Sequence, residues 1–385
     1  MAREHYPFPQ IMEEETVIEL ITGGTVVWVV AEARDGTIAG SAAAIRNIGG
    51  QQDRIAEIFG VAVEQNCRRQ GVGSALLRKL RTELASISEF VLCEARTAEA
   101  GGWKAARNAG FRPVGFEPYA HAMPIGFESM VLTASRDQAR QTSVRAMKPS
   151  SNTKASLNLA YAVCPSGTVT LVSSAATDHQ LPKSGALAEN RILRGSLNVR
   201  RDDQSGQAWF ASSARAFDRQ FALVEFCPLQ GVEPHYRRFE NMYYMASRNG
   251  PDIAAARVFY DRTDARARIL GMRGATDGFE VQFLESIVGN LLRLSENGPM
   301  VIVACVRTGT LETQISLEAM GFLPTAYFPG IISVPSGRAD VIQYTRLVRR
   351  SWSDSIRRVT ALDWPEARRL IDQVVQLPSD APASE

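Results

Sequence analysis

The sequence has few of the side chains that usually hold metal ions. Its 385 residues include only four histidines and five cysteines. The histidines stand singly, and no Cys-x-x-Cys pair exists. Because a zinc site needs clustered His or Cys ligands, we predict no metal. An odd number of widely spaced cysteines cannot all pair within the chain, which favours free thiols in a reducing cytosol.

Excess charge and long apolar runs are missing as well. The formal net charge is only +2, which gives no reason to propose nucleic acid as a partner. The first ten residues lack the apolar core of a secretion signal. The longest apolar stretch near that end, residues 25–31, is too short to span a bilayer. We therefore expect a cytoplasmic protein with no membrane partner.

What the chain does contain is an α/β pattern that occurs twice. Its length suggests two domains. Strand and helix signals alternate over residues 25–134, and after residue 205 they return in the same order. That order is hairpin, strand, helix, buried strand, helix, Gly-Phe pair and two strands. The fold class we predict is therefore α/β (α+β), with two units that each carry a mixed, mostly antiparallel sheet flanked by helices.

The spacing of matching residues supports a tandem repeat. Cys93 precedes Gly110 by seventeen residues, and Cys305 precedes Gly321 by sixteen. Between the units lies a segment rich in Ser, Thr, Lys, Pro and Ala without sustained periodicity. We expect a first domain at residues 1–140, a linker or bridge at 141–204, a second domain at 205–350, and a C-terminal helix and tail at 351–385.

The most distinctive motif is a glycine-containing loop between a predicted strand and a predicted helix. It comprises Arg68, Arg69, Gln70, Gly71, Val72, Gly73 and Ser74. The glycines allow close approach of a ligand to the backbone, and the helix begins with unpaired N–H groups and a positive dipole end. Together these features suit a pyrophosphate. The motif is neither a Walker loop nor a Rossmann fingerprint, and an ordinary strand–helix turn is the alternative.

With this loop the sequence resembles the GNAT superfamily of N-acyltransferases. The family hallmark, Gln/Arg-x-x-Gly-x-Gly/Ala, is matched by Arg68, Gly71 and Gly73, and a helix ending in Gly110-Phe111 follows about 40 residues later. The pattern covers roughly residues 20–134. The resemblance implies that acetyl-CoA or another acyl-CoA is the co-substrate.

The resemblance also implies which backbone groups hold that co-substrate. The N–H groups of Arg69 to Ser74 would hold the pyrophosphate. The strand end at Val61, Ala62 and Val63 would pair with the pantetheine arm. A donor there, the Val61 N–H, would polarise the thioester carbonyl and stabilise the oxyanion of the transition state.

A carboxylate that removes a proton from the amine is useful for acyl transfer, and Glu57 is our candidate. It lies on the strand before the loop, fourteen residues ahead of Gly71. In histone-acetyltransferase-like members of the family, the base occupies the same strand at the same distance. Ala56 and Ile58 flank Glu57, so a partly buried site with a raised pKa is one reading; a solvated carboxylate is the other.

The general acid is less clear from the sequence. The family's usual tyrosine would fall at position 106, where this chain has Ala106. Tyr119 is the replacement that we name as catalytic; Cys67 or water are alternatives, and His121 is a further residue near the acceptor side. Cys67 argues only weakly for a covalent route, because no His lies near it in sequence.

The second unit keeps the pattern without the loop. Aligning Gly60 with Gly271 places Arg268 opposite Glu57, and both loop glycines are missing from residues 279–284. This unit therefore resembles a degenerate GNAT domain that shapes the acceptor site, dimerises or binds substrate. Its dense arginines indicate either a salt-bridged sheet or recognition of an acidic acceptor.

These observations predict an N-acyltransferase that moves an acetyl-like group from CoA to an amine by direct attack. The acceptor is a small-molecule or peptide amine, and a homodimer is one option. The N-terminal helices that usually roof the acceptor site are missing or shortened, so the linker, the second domain or another chain must cover it. A non-catalytic acyl-CoA sensor or partner protein is the alternative from another class, and different chemistry on the same fold is a third.

Overall fold

The computed structural model describes residues 13–136, 197–213 and 239–376, together with residues 159, 160, 163, 223 and 224. Short gaps within these ranges are residues 47, 50, 125, 275–278, 295–297, 299, 309, 335–336, 358 and 360–361. Most of the predicted bridge, the last eight residues, Cys164 and Cys227 lie outside the described residues. We call residues 13–136 the first half and residues 197–376 the second half.

The first half contains six strands and three helices among its described residues. In chain order these are α1 (Glu14–Thr22), β1 (Val26–Glu32), β2 (Ile38–Arg46), β3 (Ile55–Val63), α2 (Val72–Leu84), β4 (Phe90–Arg96), α3 (Ala100–Asn108), β5 (Arg112–Met123) and β6 (Gly126–Arg136). One-turn 3₁₀ helices lie at Gln51–Asp53 and Gln65–Cys67.

The second half repeats that order after one added strand. Its described elements are β7 (Asn198–Arg201), α4 (Asp203–Ser213), β8 (Phe239–Ser247), β9 (Asp252–Asp261), β10 (Arg266–Gly274), α5 (Glu280–Arg293), β11 (Val301–Arg307), α6 (Leu311–Ala319), β12 (Leu323–Val334), β13 (Gly337–Leu347), α7 (Trp352–Arg357) and α8 (Pro365–Gln376). As the sequence indicates, Pro365 marks a helix boundary: α8 begins at this residue, where its missing N–H costs nothing.

All the described strands form one mixed sheet of the order β1-β2-β3-β4-β6-β5-β12-β13-β11-β10-β9-β8-β7. Only β3–β4 and β10–β11 are parallel pairs, so the sheet is mostly antiparallel. The order β1-β2-β3-β4-β6-β5 in the first half matches β8-β9-β10-β11-β13-β12 in the second. The predicted fold class, α/β with a mostly antiparallel sheet flanked by helices, is confirmed.

The two halves meet where β5 and β12 pair, through Gly115 and Ala326. A Cβ at Gly115 would lie 2.1 Å from the Ala326 Cβ and 2.9 Å from the Thr325 carbonyl oxygen. Such distances are shorter than any stable contact, so only glycine permits this approach of the two strands. The junction of the sheet therefore depends on one residue without a side chain.

The hydrophobic cores also cross this junction. One cluster joins Ile55, Phe90 and Leu92 of the first half to Phe328 and Val341 of the second. Another joins Trp103 and Phe116 to buried residues of α8, namely Ala367, Leu370, Ile371 and Val374. Because each half buries apolar surface of the other, the halves pack as one body. The predicted boundaries between domains remain a prediction.

Three elements escaped the sequence analysis. Helix α1 precedes the first strand. Strand β7 and the start of α4 lie at the end of the predicted bridge, where β7 pairs with β8. A strand of four residues is too short to show a period, and Asp and Ser at the start of α4 resemble turn residues.

Candidate functional site

The site begins where two parallel strands part. Strand β3 pairs with β4 from Ile55 to Ile58, whose partner is Cys93, and no further pair follows. Beyond that point Gly60 has a φ of 61°, and Val61 and Ala62 are exposed. Ala62 and Val63 still pair with β2, on the other edge of β3. The edge facing β4 is therefore left open, as a ligand that pairs with backbone amides requires.

The glycine loop lies at the end of this open strand. After the 3₁₀ turn, Arg68 donates from Nε to the Val63 carbonyl oxygen at 3.2 Å, which ties the loop to β3. Arg69 and Gly71 have positive φ values of 64° and 86°. Gly71 is the N-cap residue of α2 and offers no side-chain cap. The first-turn N–H groups of α2 therefore have no partner from a cap, and they point out of the helix end.

Charge and space at this helix end both suit an anion. The first turn of α2 contains no acidic residue, and Arg68 and Arg69 are exposed beside it. A Cβ at Gly71 would meet nothing within 4 Å, so the loop surface is open there. A Cβ at Gly73 would lie 3.5 Å from Ala105 of α3 and 3.7 Å from Val63. The predicted cradle, residues 68–74, thus lies beside α3 and the end of β3, with open space at Gly71.

Glu57 lies on the opposite face of the sheet. Its neighbours Ala56 and Ile58 pack against the leucines of α2, and alternation along the strand directs Glu57 the other way. There it lines a pocket and is only 4% exposed. The lining comprises Glu57, Leu92, Cys93, Glu94, Glu117, Leu132, Thr133, Phe328 and Gln343. Of the two readings from the sequence, the buried carboxylate describes this position.

The second half supplies part of that pocket. Phe328 and Gln343 belong to β12 and β13, so the first half alone does not enclose the site. Asp53, in the 3₁₀ helix before β3, accepts a hydrogen bond from the Ser333 N–H at 2.8 Å. Arg338 pairs with Glu89 at 3.2 Å. These contacts hold the hairpin of β12 and β13 over the face that carries Glu57. The sequence analysis named the linker, the second domain or another chain as a cover for the acceptor site. Of these three, the second half contributes to this pocket.

A buried ion cluster fixes Glu117 at the pocket. Its carboxylate contacts Arg266 at 3.2 Å and Arg268 at 3.0 Å, both from β10 of the second half. Burial acts to raise the pKa of Glu117, but Arg268 and Arg266 outweigh it and lower that pKa to about 2. Burial lowers the pKa of Arg266. Arg266 and Arg268 are thus internal partners of Glu117, rather than parts of a solvated surface.

A second buried group links Glu94, His121 and Asp264. The His121 Nε2 lies 3.1 Å from Glu94 Oε2, and its Nδ1 lies 2.9 Å from Asp264 Oδ2. Burial acts to lower the pKa of His121, but the bonds to Asp264 and Glu94 raise it to about 10. His121 is therefore a cation at neutral pH that donates from both ring nitrogens.

The candidates for a general acid or a nucleophile find little support in their surroundings. Tyr119 is not among the residues that line the pocket; its hydroxyl donates to the Ser351 carbonyl oxygen at 2.9 Å. Ala106 is fully buried against α2. Burial, with Glu94 and Glu57 nearby, raises the pKa of Cys93 to about 12, so its thiol stays protonated. The catalytic role of Tyr119 stays a prediction, which its contact with Ser351 does not favour.

The corresponding position in the second half carries a different charge and is followed by a shorter loop. The pairs Ile58–Cys93 and Ile269–Ala304 end the two parallel ladders. This register places Arg268 opposite Glu57, as the sequence alignment predicts. From Gly271 to the start of α5 there are three residues fewer than from Gly60 to the start of α2. The first turn of α5 contains Glu280, whose charge opposes an anion at that helix end.

Comparison with known proteins bears on the first half. Residues 2–111 match the sequence model of the acetyltransferase (GNAT) family. This match covers less than a third of the chain, so the likeness to the GNAT family is limited to its N-terminal region. No curated protein matches the sequence.

Solved structures with a related fold include three acetyltransferases. Phosphinothricin acetyltransferase from Sinorhizobium meliloti, in complex with acetyl-CoA, is 19% identical over 32% of this chain and 68% of its own, with a TM-score of 0.30. Ribosomal-protein-alanine N-acetyltransferase from Brucella melitensis is 18% identical over 32% and 76%, with a TM-score of 0.29. Spermidine N-acetyltransferase from Vibrio cholerae, in complex with CoA and spermine, is 13% identical over 32% and 72%, with a TM-score of 0.29. At these TM-scores the matches add nothing to what the family model assigns.

The sequence analysis did not find Glu94, Glu117 and Asp264 as members of the site. A glutamate inside the otherwise apolar strand Phe90–Arg96 is a signal that was available. Within the described part of the chain, no group of three His, Cys, Asp or Glu side chains is placed to hold a metal ion. None of the described helices is long and apolar enough to cross a membrane.

Proposed function

We propose that this protein is an N-acyltransferase that moves an acetyl or similar acyl group from coenzyme A directly to an amine. The observation that carries the proposal is that the cradle and Glu57 both lie near the place where strands β3 and β4 separate. The uncapped start of α2 and the open edge of β3 lie on the path of the co-substrate, and Glu57 lies in a pocket on the other face.

In this proposal the loop residues Arg68–Ser74 hold the pyrophosphate, and Val61–Val63 pair with the pantetheine arm. Glu57 takes a proton from the acceptor ammonium, and the neutral amine attacks the thioester carbonyl. The Val61 N–H stabilises the oxyanion as the C–N bond forms. The C–S bond then breaks and the thiolate leaves, and this thiolate takes up the second proton that the nitrogen gives up as the amide forms. No acyl-enzyme is needed, which agrees with a protonated Cys93 thiol.

The second half is, in this proposal, a GNAT-like unit that has lost the cradle and encloses the acceptor pocket. Its short loop and Glu280 disfavour a pyrophosphate. The acceptor in this proposal is a small amine or the end of a peptide. A cytoplasmic location and a homodimer stay predictions.

The substitution Gly71→Glu tests the cradle. It should abolish acetyl-CoA binding, because the new carboxylate would occupy the pyrophosphate site. The fold should persist, because the side chain enters open space. Gly250→Glu is the matched control: this glycine also has a positive φ and open space, in the turn between β8 and β9. Calorimetry should show binding to the control and none to the folded Gly71 variant; equal affinities would refute the cradle.

A non-catalytic acyl-CoA sensor is the second candidate, because Ala106 and the tied hydroxyl of Tyr119 leave the usual general acid without a replacement. A thiolate leaves without acid assistance, so we favour the enzyme. Release of free CoA thiol during incubation of acetyl-CoA with a panel of amines separates the two. Tight binding of acetyl-CoA with no release above background would favour the sensor.

A further inference from the structure

The three glutamates that line the pocket have different partners, and this difference suggests different roles. Glu117 is held between two arginines. Glu57 is the proposed base. Glu94 is joined to His121, and through it to Asp264 of the second half. This last arrangement joins the two halves at the pocket and has no place in the proposed mechanism.

The position of Glu94 brings it toward the reacting end of the co-substrate. Cys93 is the last residue of β4 that pairs with β3, and Glu94 is the next. Glu57 pairs with Leu92, two residues earlier on β4. Side chains on one face repeat every two residues, about 7 Å along a strand. Glu94 therefore stands one repeat nearer to the level of Val61 than Glu57 does, on the same face.

The partners of Glu94 hold its carboxylate in one position. His121 donates to its Oε2, and the ring is fixed from the other side by Asp264. Asp264 is itself held by the Ala122 N–H at 2.7 Å and, through its own N–H, by Asp261 at 3.1 Å. Glu94 thus lines the pocket in a fixed position, where it can accept a hydrogen bond from a ligand.

We propose that Glu94 positions the acceptor by taking a hydrogen bond from the attacking nitrogen, and that His121 and Asp264 position Glu94. This inference rests on the proposed function. It also concerns the class of acceptor. A nucleophile must donate one hydrogen to Glu57 and another to Glu94, and a hydroxyl has only one to donate. The pair of carboxylates therefore selects nitrogen over oxygen acceptors, and the second half contributes to this selection through Asp264.

Steady-state kinetics of full-length variants, with the amine that gives the fastest CoA release in the panel, test the proposal. Glu94→Gln should raise the KM for the amine about 10- to 100-fold, the range expected for one hydrogen bond to a charged group. The KM for acetyl-CoA should not change. Glu32→Gln, an exposed position on β1, is the matched control. Asp264→Asn should act in the same direction more weakly.

The double variant of Glu94→Gln and Asp264→Asn separates positioning from a general structural effect. If Asp264 acts through Glu94, the double variant should have the amine KM of Glu94→Gln alone, because coupled residues are not additive. The inference would be overturned if the amine KM of the double variant equalled the product of the two single effects, or if Glu94→Gln left that KM unchanged. In either case, CoA release by the wild-type protein would still uphold the proposed function. No release by wild-type protein with any amine overturns both.

Discussion

At the scale of single residues, the site depends on burial that is compensated by charge. Glu57 is 4% exposed in a pocket that contains two other carboxylates. Glu117 and Glu94 are each balanced by cations, from β10 and from His121. Uncompensated, buried charges of this kind would cost several kcal/mol each. The pocket can hold three glutamates because the second half supplies the arginines.

The proposed base is tested by Glu57→Gln. We expect turnover to fall roughly 100- to 10,000-fold, the usual contribution of a general base, with little change in acetyl-CoA affinity. The loss should shrink at high pH, because more of the amine is then already neutral. A pH profile of kcat for both proteins measures this. Parallel profiles with equal kcat would remove Glu57 from the mechanism.

His121 predicts a pH dependence of stability. Its pKa is raised from 6.5 to about 10 in the folded chain, so its contribution is complete below pH 6.5 and is lost as the pH rises through 10. Between these values the unfolded chain binds fewer protons, and the free energy of unfolding should fall, on the order of a few kcal/mol.

Urea unfolding of wild type and His121→Gln across this pH range isolates the effect of that side chain from other titrating groups. The difference in unfolding free energy between the two proteins should narrow from pH 6.5 to pH 10. A difference that stays constant would show that His121 is not held as a cation.

At the scale of elements, two features of the sheet matter most: the place where β3 and β4 separate, and the place where β5 and β12 join the two halves. The pairing of β3 with β4 ends at Ile58, which leaves one edge of β3 open beyond that residue. The junction of β5 and β12 is a single pair at Gly115. Both features depend on backbone proximity rather than on side-chain chemistry.

Gly115→Ala tests the junction. A Cβ there would meet backbone and Cβ atoms of Thr325 and Ala326, which cannot move without shifting β12. We expect a loss of about 1–3 kcal/mol or more in unfolding free energy, as for overpacked cores. The control is Gly101→Ala in α3, where a Cβ meets nothing within 4 Å. It should be neutral or slightly stabilising, since alanine favours helices. Denaturant unfolding of both variants gives the comparison, and equal stabilities would contradict the close junction.

At the scale of the whole molecule, the two halves share one strand order but differ at the start of one helix. The first half has an uncapped helix start without acidic residues, and the second has Glu280 in the first turn of the matching helix. The shared cores and the ion clusters make each half part of the other's interior. Duplication of topology has therefore not meant duplication of sites.

This asymmetry predicts one acetyl-CoA per full-length chain. Calorimetric titration should give a stoichiometry near one, and Gly71→Glu should remove all binding rather than half of it. A value near two would reveal a second site of a kind that a helix-end cradle does not describe. The Gly250→Glu variant serves again as the control, with unchanged stoichiometry.

The sequence by itself determined the elements with a strong period and the cradle between them. Leucines at 76, 77, 80 and 84 predict α2, and all four are buried. The motif from Arg68 to Gly73 predicts the loop, because phosphate binding by a helix start needs only neighbouring residues. Glu57 was named because the resemblance implies a base fourteen residues before Gly71, and its catalytic role stays a prediction.

Only the tertiary structure decided how the acceptor pocket is built. His121 and Asp264 are more than 140 residues apart in the chain, as are Glu117 and Arg266, and no local period relates them. They meet because β5 and β12 join the two halves into one sheet. Tyr119 shows the same dependence: its hydroxyl donates to the carbonyl oxygen of Ser351, 232 residues further along the chain. Long-range pairing depends on packing of the whole chain, so it could be read only from the folded molecule.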